Sequence, residues 1–169
     1  RPETEFLLIR LLDLAKQCRV DRPIRVADVG TGSGIIAACA ALYIPDCEIT
    51  AIDKSPEALN VATENANLHG VTEKIIFRQG DLLEGVDESS FDFVVSNPPY
   101  ISETEYQELD AQVRDFEPRM ALVAGPTGAE VISQLVPQAA TALCDSGWLL
   151  MEISPMIHDA VESIVTSQR

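Results

Sequence analysis

The sequence has 169 residues, 46% of them hydrophobic, and a formal net charge of −15. This length suffices for one domain with a sizeable core, and no apolar run approaches the ~20 residues that span a bilayer, so we expect no membrane segment. Between Val26 and Val113 the only cations are Lys54, Lys74 and Arg78, which excludes the basic stripe of nucleic-acid-binding proteins and argues against stable nucleic-acid binding.

The apolar pattern predicts strands that alternate with helices along the chain. Helices are expected over residues 2–18, 35–42, 56–68 and 128–144, and from 155 nearly to 169. Strands are expected over 24–29, 48–53, 74–78, 91–96 and 148–153, with an irregular acidic segment over 101–126 that contains a short helix near 103–109. Such alternation is typical of a parallel sheet with right-handed crossovers. We therefore predict one α/β domain over residues 1–169, with a mostly parallel, doubly wound sheet.

The cysteines and histidines do not form a metal-binding pattern. The four cysteines contain no C-x-x-C pair and the two histidines are isolated in the sequence, so we predict no metal site. We interpret the cysteines as reduced core residues and expect a cytoplasmic monomer. The sequence opens with Arg1-Pro2 instead of an initiating methionine or a signal peptide, and we expect it to be a piece of a longer protein.

A glycine-rich turn follows the first predicted strand, and its glycines allow the backbone to approach a ligand closely. A dinucleotide fingerprint, G-x-G-x-x-G, would need a glycine where Ile35 stands, which disfavours NAD. The observed G-x-G-x-G spacing after an acid suits S-adenosylmethionine, which presents an ammonium and a carboxylate instead of a phosphate. An ordinary glycine turn is the alternative. The predicted cofactor-binding residues are Asp28, Gly30, Thr31, Gly32, Ser33 and Gly34.

Further candidates follow the second and third predicted strands. The carboxylate of Asp53 can accept hydrogen bonds from both hydroxyls of an adenosine ribose; helix capping is the alternative, although Ser55 is the better cap. Asp81 can accept from the adenine amino group and Leu82 can cover the ring. An exposed turn acid is an equally good interpretation of Asp81. We assign Asp53, Asp81 and Leu82 to the cofactor.

The segment Ser96-Asn97-Pro98-Pro99-Tyr100 ends the fourth predicted strand, because proline offers no ladder donor. Asn97 Oδ1 and the Pro98 carbonyl can each accept one N–H of a planar NH2 group, while Tyr100 packs on its flat face, which orients the nitrogen for methylation. We predict that Asn97, Pro98 and Tyr100 are catalytic, that Pro99 also lines the substrate site, and that Asn97 also contacts the cofactor. A turn that only ends the strand is the alternative.

Together these segments resemble the S-adenosylmethionine-dependent methyltransferases with an Asn-Pro-Pro-Tyr motif, and within them the peptide-release-factor glutamine methyltransferases of the HemK/PrmC family. The Asn-Pro-Pro-Tyr motif is shared with adenine and guanine amino-group methyltransferases, whereas RPETE and EPRMAL favour the narrower assignment. The resemblance implies a Rossmann-like class I methyltransferase fold. The matching segments are RPETE at 1–5, VADVGTGSG at 26–34, AIDKSPEAL at 51–59, VVSNPPYI at 94–101 and FEPRMALVAG at 116–125.

The resemblance also implies a cofactor and a partner. The cofactor is S-adenosylmethionine, with S-adenosylhomocysteine as product, and the substrate is the glutamine of the Gly-Gly-Gln tripeptide in class I release factors. Residues 30–34 and Asp53 then hold the cofactor, with Leu82 near the adenine, and residues 97–100 hold the glutamine side chain. The segment at 1–5 either borders the substrate channel or only begins a helix.

The sequence departs from this family at three places. The family has an N-terminal helical substrate-binding domain and two further strands at the C-terminus, both missing here, and residues 152–155 (EISP) differ from its usual Glu-Ile-Gly. We therefore expect an incomplete sheet with the fifth strand on an exposed edge. One alternative is a nucleic-acid amino-group methyltransferase, against which the acidity argues. Another is a non-catalytic cofactor-binding subunit, which would not need the Asn-Pro-Pro-Tyr motif.

Overall fold

Residues 2–109 and 118–168 are described by the structure, a computed structural model. They belong to two units, residues 1–97 with 141–152 and residues 98–140 with 153–169. The α-helices are α1 (Pro2–Ala15), α2 (Ile35–Tyr43), α3 (Pro56–Leu68), α4 (Glu103–Glu108), α5 (Arg119–Leu122), α6 (Glu130–Ala142) and α7 (His158–Thr166). The strands are β1 (Ile24–Val29), β2 (Cys47–Asp53), β3 (Ile75–Gln79), β4 (Phe91–Ser96), β5 (Ile101–Ser102), β6 (Val123–Gly125) and β7 (Leu143–Met151).

The first unit contains a five-stranded sheet in the order β3-β2-β1-β4-β7. Every ladder in it is parallel, which confirms the predicted α/β class. The chain winds outward from β1 to β3 and then returns to the other side of β1 with β4. Ligands of such sheets bind outside the carboxyl ends of the strands at this reversal point, so the ends of β1 and β4 are the place to look for a site.

The core of this unit lies between one sheet face and the helices that cover it. The sheet contributes Val26, Ile49, Phe93 and Val95, and α1 contributes Leu11, which is completely buried. Each such side chain stabilises the fold by roughly 1.5–3 kcal/mol relative to exposure. All six residues of β4 are buried, so the strand that carries Asn97 at its end is held firmly.

The predicted boundaries are wrong at two places in the first unit. Helix α1 ends at Ala15 because the chain tightens there, with the Cys18 N–H bonded to the Ala15 carbonyl over 3.2 Å. Strand β7 runs from Leu143 to Met151 instead of over 148–153, so residues 143–144, predicted as the end of a helix, belong to the strand. Its ladder with β4 is interrupted, since Phe91 pairs with Leu143 and Phe93 with Trp148. The turn-forming residues 145–147 therefore lie in a bulge within the strand.

The fifth strand of the sheet, β7, lies at an edge, as predicted. Among the described strands β7 is the outermost beside β4, and Trp148 on it is 48% exposed. All four cysteines are free thiols. Cys47 belongs to the core and the half-buried Cys18 packs against it, as expected, whereas Cys39 and Cys144 are half-buried. Within the part of the chain that the structure describes, no helix has the length and apolar character that crossing a membrane requires.

The second unit contains structure that the sequence did not predict. Strands β5 and β6 form a two-stranded parallel sheet within the segment expected to be irregular. Helix α4 falls where the short helix was predicted, and a reciprocal capping box between Ser102 and Glu105 begins it. The expected last helix is a 3-10 turn over Pro155–Ile157 followed by α7. The interior of the acidic segment, 110–117, lies outside the described residues.

Asp92 at the start of β4 binds residues at and before the start of β1, at the end of the sheet away from the glycine loop. Its two oxygens accept from the Arg22 guanidinium at 2.7 and 2.8 Å, and Oδ2 also accepts from the Arg25 backbone N–H at 2.9 Å. Burial acts to raise the pKa of Asp92, but these hydrogen bonds outweigh it and hold the pKa below its usual value. Such a group stabilises the fold above its unfolded pKa and loses that contribution as the pH falls.

We expect Asp92→Asn to lower the free energy of unfolding by about 1–2 kcal/mol at neutral pH, because it removes a charge-assisted pair. The deficit should shrink as the pH falls from about 4 through the lowered pKa of the folded Asp92 carboxylate, because the wild type then loses its charged pair. Urea titrations at pH 3 and pH 7 measure both quantities, with the exposed Asp21→Asn as the matched control. A deficit of equal size at both pH values would contradict the assignment.

Candidate functional site

The glycine loop between β1 and α2 combines a close contact with an open surface. Gly30, Gly32 and Gly34 all have left-handed φ angles, at 69°, 55° and 78°. A Cβ on Gly34 would lie 2.8 Å from the Ala62 Cβ of α3, whereas a Cβ on Gly30 would meet nothing within 4 Å. Gly34 therefore allows the loop to pack on α3, and Gly30 leaves free space beside the carboxyl end of β1.

Asp28 lies beneath this loop and is completely buried. Its Oδ2 accepts from the Thr31 hydroxyl at 2.6 Å and from the Ala37 N–H of α2 at 3.0 Å. Gly34 is the N-cap of α2 and has no side chain to cap it, so Asp28 takes the place of that cap. Burial raises the pKa of Asp28 to about 6 although both hydrogen bonds act to lower it.

Asp53 at the end of β2 is joined to the same loop. Its Oδ2 accepts from the Gly32 N–H at 2.8 Å, and its Oδ1 accepts from the Ser55 N–H at 2.9 Å. A carboxylate has about four lone-pair positions, so Asp53 retains capacity for further donors such as ribose hydroxyls. The structure thus brings together two features that the sequence predicted separately. Ser55 is the N-cap of α3, as expected.

The two candidates after β3 have different surroundings. The Asp81 carboxylate forms a partly exposed ion pair with Lys54 at 2.6 Å, a partner that the sequence did not reveal. Leu82 has a φ angle of 54°, in the left-handed region that non-glycine residues seldom adopt. Such strained residues are concentrated at ligand-binding positions.

Asn97 directly follows β4, and its side chain is held by two consecutive hydrogen bonds between side chains. Its Nδ2 donates to the Thr4 hydroxyl at 3.1 Å, and that hydroxyl donates to Glu152 Oε2 at 2.8 Å. Glu152 follows β7 and is 8% exposed. The sequence predicts no specific partner for Thr4, and Glu152 enters the sequence analysis only within the segment 152–155 that departs from the family pattern. A lone acid after an apolar strand was the available signal for Glu152.

Pro98, Pro99 and Tyr100 follow Asn97 in the chain and belong to the second unit. Pro98 is buried, and the other two are half-buried. Within that unit Gly128, with a φ angle of 86°, approaches the Tyr100 backbone so closely that a Cβ would lie 2.7 Å from its carbonyl oxygen. The backbone is therefore closely packed at Tyr100, directly after the two prolines.

The geometry at the ends of β1 and β2 fits a ligand with cationic and hydroxyl groups. Two carboxylates, Asp28 and Asp53, approach the loop, and Asp28 Oδ1 is buried with no hydrogen-bond partner among the described residues. A phosphate would be repelled by these charges and an ammonium would be attracted, whereas the hydroxyls of a ribose could donate hydrogen bonds to Asp53. The residues present fit S-adenosylmethionine on this observation. His158, Asp159 and Glu162 also cluster, but all three are exposed on α7.

Comparison with protein families gives a match over most of the chain. Residues 4–115 match the model of the family described as "Methyltransferase small domain". This range includes the glycine loop, Asp53, Asp81 and the whole Asn-Pro-Pro-Tyr segment. Of the two side chains that connect to Asn97 through hydrogen bonds, Thr4 lies inside the matched range and Glu152 lies outside it.

Curated relatives extend the similarity nearly to both ends of the sequence. The release factor glutamine methyltransferase of Rhodopirellula baltica is 45% identical over 159 residues, which is 93% of this chain and 54% of that protein. The protein of the same name from Koribacter versatilis is 44% identical over 98% of this chain and 58% of its own length. The chain thus spans about half the length of the curated relatives it matches.

Solved structures support the fold. The ribosomal protein L11 methylase from Lactobacillus delbrueckii superposes with a TM-score of 0.66 at 26% identity, covering 95% of this chain and 67% of that one. The five-stranded parallel sheet is therefore the Rossmann-like sheet of class I methyltransferases.

We expect Gly34→Ala to destabilise the protein by about 2–4 kcal/mol, since it combines a left-handed backbone penalty with overlap against Ala62. Gly70→Ala is the matched control, because Gly70 has a φ angle of 67° and open space around it. That variant should lose only about 1–2 kcal/mol. Urea unfolding of both variants makes the comparison, and equal losses would show that Ala62 does not restrict the loop.

The pKa of Asp28 predicts a second pH effect of opposite sign to that of Asp92. A carboxyl group whose pKa is raised by folding stabilises the protein below its unfolded pKa and loses that contribution as the pH rises through the folded value. From pH 4 to pH 7 the free energy of unfolding should fall by up to about 3 kcal/mol through this group. Asp28→Asn should remove that fall in urea titrations, whereas Asp21→Asn should keep it; parallel wild-type and Asp28→Asn profiles would refute the prediction.

Proposed function

Because this chain belongs to the methyltransferase small-domain family, we propose that it is the catalytic domain of a protein-(glutamine-N5) methyltransferase. The proposed reaction transfers a methyl group from S-adenosylmethionine to the side-chain amide nitrogen of the glutamine in the Gly-Gly-Gln motif of class I peptide chain release factors. The observation that carries the proposal is the Asn97 amide, whose Nδ2 is bound to Thr4. Its Oδ1 is the acceptor that an incoming NH2 group needs.

The grip on the substrate amide explains why the Asn-Pro-Pro-Tyr sequence suits this reaction. An amide nitrogen is a poor nucleophile because its lone pair is delocalised into the carbonyl group. Asn97 Oδ1 and the Pro98 carbonyl, consecutive in the chain, would accept the two N–H groups and fix the plane of the amide, with Tyr100 against its flat face. Orientation by preorganised dipoles then supplies most of the rate enhancement, and water takes the released proton.

The residues at the ends of β1, β2 and β3 would hold the cofactor. Gly30 and Gly32 leave the space, Asp53 accepts from the ribose hydroxyls, and Leu82 covers the adenine ring with Asp81 near its amino group. Asp28 shapes the loop through Thr31 and Ala37. When bound, S-adenosylmethionine supplies an electrophilic methyl group on a positively charged sulfur.

The charge distribution supports a protein substrate over a nucleic acid. Each of the three cations between Val26 and Val113 is already bonded within the chain. Lys54 pairs with Asp81, Lys74 donates to the carbonyls of Ala41, Ile44 and Pro45, and Arg78 donates to the carbonyls of Glu84 and Gly85. A phosphate would have to compete with these hydrogen bonds for each of the three cations. The names of the curated relatives support the same choice, and we further propose that the enzyme acts in the cytoplasm as a monomer.

The substrate class can be tested directly with the complete protein. Incubated with labelled S-adenosylmethionine, a class I release factor and ribosomal RNA, it should label only the release factor. A release factor in which the Gly-Gly-Gln glutamine is replaced by glutamate should remain unlabelled, because it offers no NH2 group. Label found only in the RNA would refute the proposal in favour of a nucleic-acid amino-group methyltransferase.

Asn97→Ala tests the assigned grip and separates an enzyme from a cofactor-binding subunit. We expect the turnover number to fall by at least about 100-fold, as when an oriented hydrogen-bonding group at a reacting centre is removed. Calorimetry should find the affinity for S-adenosylmethionine within a few-fold of wild type. Asn60→Ala, an exposed asparagine on α3, is the control and should leave both unchanged. Normal methylation by Asn97→Ala would show that Asn97 has another role.

A further inference from the structure

We propose that Thr4 and Glu152 are positioning residues that determine which way the Asn97 amide faces. This inference rests on the proposed function, in which Asn97 must present an oxygen to the substrate. An asparagine side chain can rotate about its last bond with little preference between its two orientations. Something outside Asn97 must therefore decide whether oxygen or nitrogen points to the substrate.

The three side chains form one continuous path. Asn97 Nδ2 lies 3.1 Å from the Thr4 hydroxyl, which lies 2.8 Å from Glu152 Oε2. The backbone holds Asn97 and Glu152 near each other, since the Glu152 N–H donates to the carbonyl of Ser96, the residue before Asn97, at 3.1 Å. Asn97 and Glu152 thus follow two neighbouring strands, β4 and β7, whose ladder is still paired at its last step.

The path has a direction that the chemistry of its members imposes. A carboxylate can only accept hydrogen bonds, and a threonine hydroxyl has one proton to donate. Since that proton goes to Glu152, the hydroxyl can offer only a lone pair to Asn97. A lone pair binds the NH2 group of Asn97 and not its oxygen, so Oδ1 must face the other way.

Reversal of the path would block the proposed reaction. Without Glu152 as an obligatory acceptor, the Thr4 hydroxyl could donate to Asn97 Oδ1 instead. Asn97 would then present its own NH2 group to the NH2 group of the substrate, and two donors would face each other. The role of Glu152 is therefore to fix a polarity as well as a position.

The connections of Thr4 distinguish this role from helix capping. Thr4 lies in the first turn of α1, where a threonine would ordinarily bond to nearby backbone groups. Its hydroxyl is instead bonded to side chains 93 and 148 residues away in the sequence. A tether of α1 to the sheet is the remaining structural interpretation, and it predicts different results in the experiment below.

The kinetic experiment compares Thr4→Val, Thr4→Ser and Glu152→Gln in the complete protein. Thr4→Val keeps the shape but removes the hydroxyl, and we expect kcat to fall about tenfold or more, with the Kd for S-adenosylmethionine within about twofold of wild type. Thr4→Ser restores the hydroxyl and should recover kcat to within about threefold. Glu152→Gln can donate as well as accept, so kcat should fall several-fold. Thr4→Val in the Asn97→Ala background should cause no further loss, because both act through one group.

A spectroscopic experiment tests the orientation without reference to activity. In protein labelled with 15N-asparagine, the NH2 protons of Asn97 should show a nuclear Overhauser effect to the Thr4 methyl group. Glu152→Gln should weaken that effect, since the reversed amide carries its NH2 group away from Thr4. Absence of the effect in the wild type would overturn the inference.

The two experiments separate failure of the inference from failure of the proposed function. If the wild type labels no release factor, the proposed function fails and the spectrum still decides the orientation. If Thr4→Val methylates like the wild type, or if Thr4→Ser is as impaired as Thr4→Val, the inference fails and the function stands. Should Thr4→Val not fold, a Glu152→Gln variant with wild-type kcat and an unchanged Asn97 spectrum overturns the inference by itself.

Discussion

The parallel pairing of β1 with β4 is the interaction on which the rest of the site depends. In this ladder Val29 pairs with Ser96, and the buried Ser96 hydroxyl donates to the Val29 carbonyl at 2.7 Å. Gly30 and Asn97 directly follow the two strands, so this last backbone pair brings the glycine loop close to Asn97. A slip of one residue would turn Asn97 and every core side chain of β4 to the opposite face. The apolar burial of β4 therefore fixes the geometry of a polar site.

Acidic residues at the ends of β2 and β7 hold the groups that follow β1 and β4, the first directly and the second through Thr4. Asp53 after β2 accepts from the N–H of Gly32 in the loop that follows β1. Glu152 after β7 acts through Thr4 on Asn97, which follows β4. In the first case the carboxylate holds a backbone N–H that can only donate. In the second the carboxylate, which can only accept, fixes the direction of a hydroxyl that could otherwise rotate. Asp53 and Glu152 thus each have a specific role at the strand ends.

The features that the sequence predicted are those carried by local pattern. Apolar runs located every strand of the five-stranded sheet, and glycine spacing located the loop, because both signals lie within a few residues. The missed features depend on register between distant segments. Nothing near Thr4 indicates Asn97 as its partner, and nothing near Asp53 indicates the Gly32 N–H. The turn composition of residues 145–147 predicts a boundary between elements, although a bulge accommodates these residues within β7.

The buried carboxylate of Asp28 follows from a conflict at the start of α2. The loop must pack on Ala62, which only a glycine at position 34 allows. That glycine cannot cap the helix, so the N–H of Ala37 needs an acceptor from elsewhere, and Asp28 on the central strand provides it. The acceptor is completely buried, which is why its pKa is raised to about 6. The close packing of the loop is thus obtained at the expense of some stability at neutral pH, as is common where a site requires a particular backbone path.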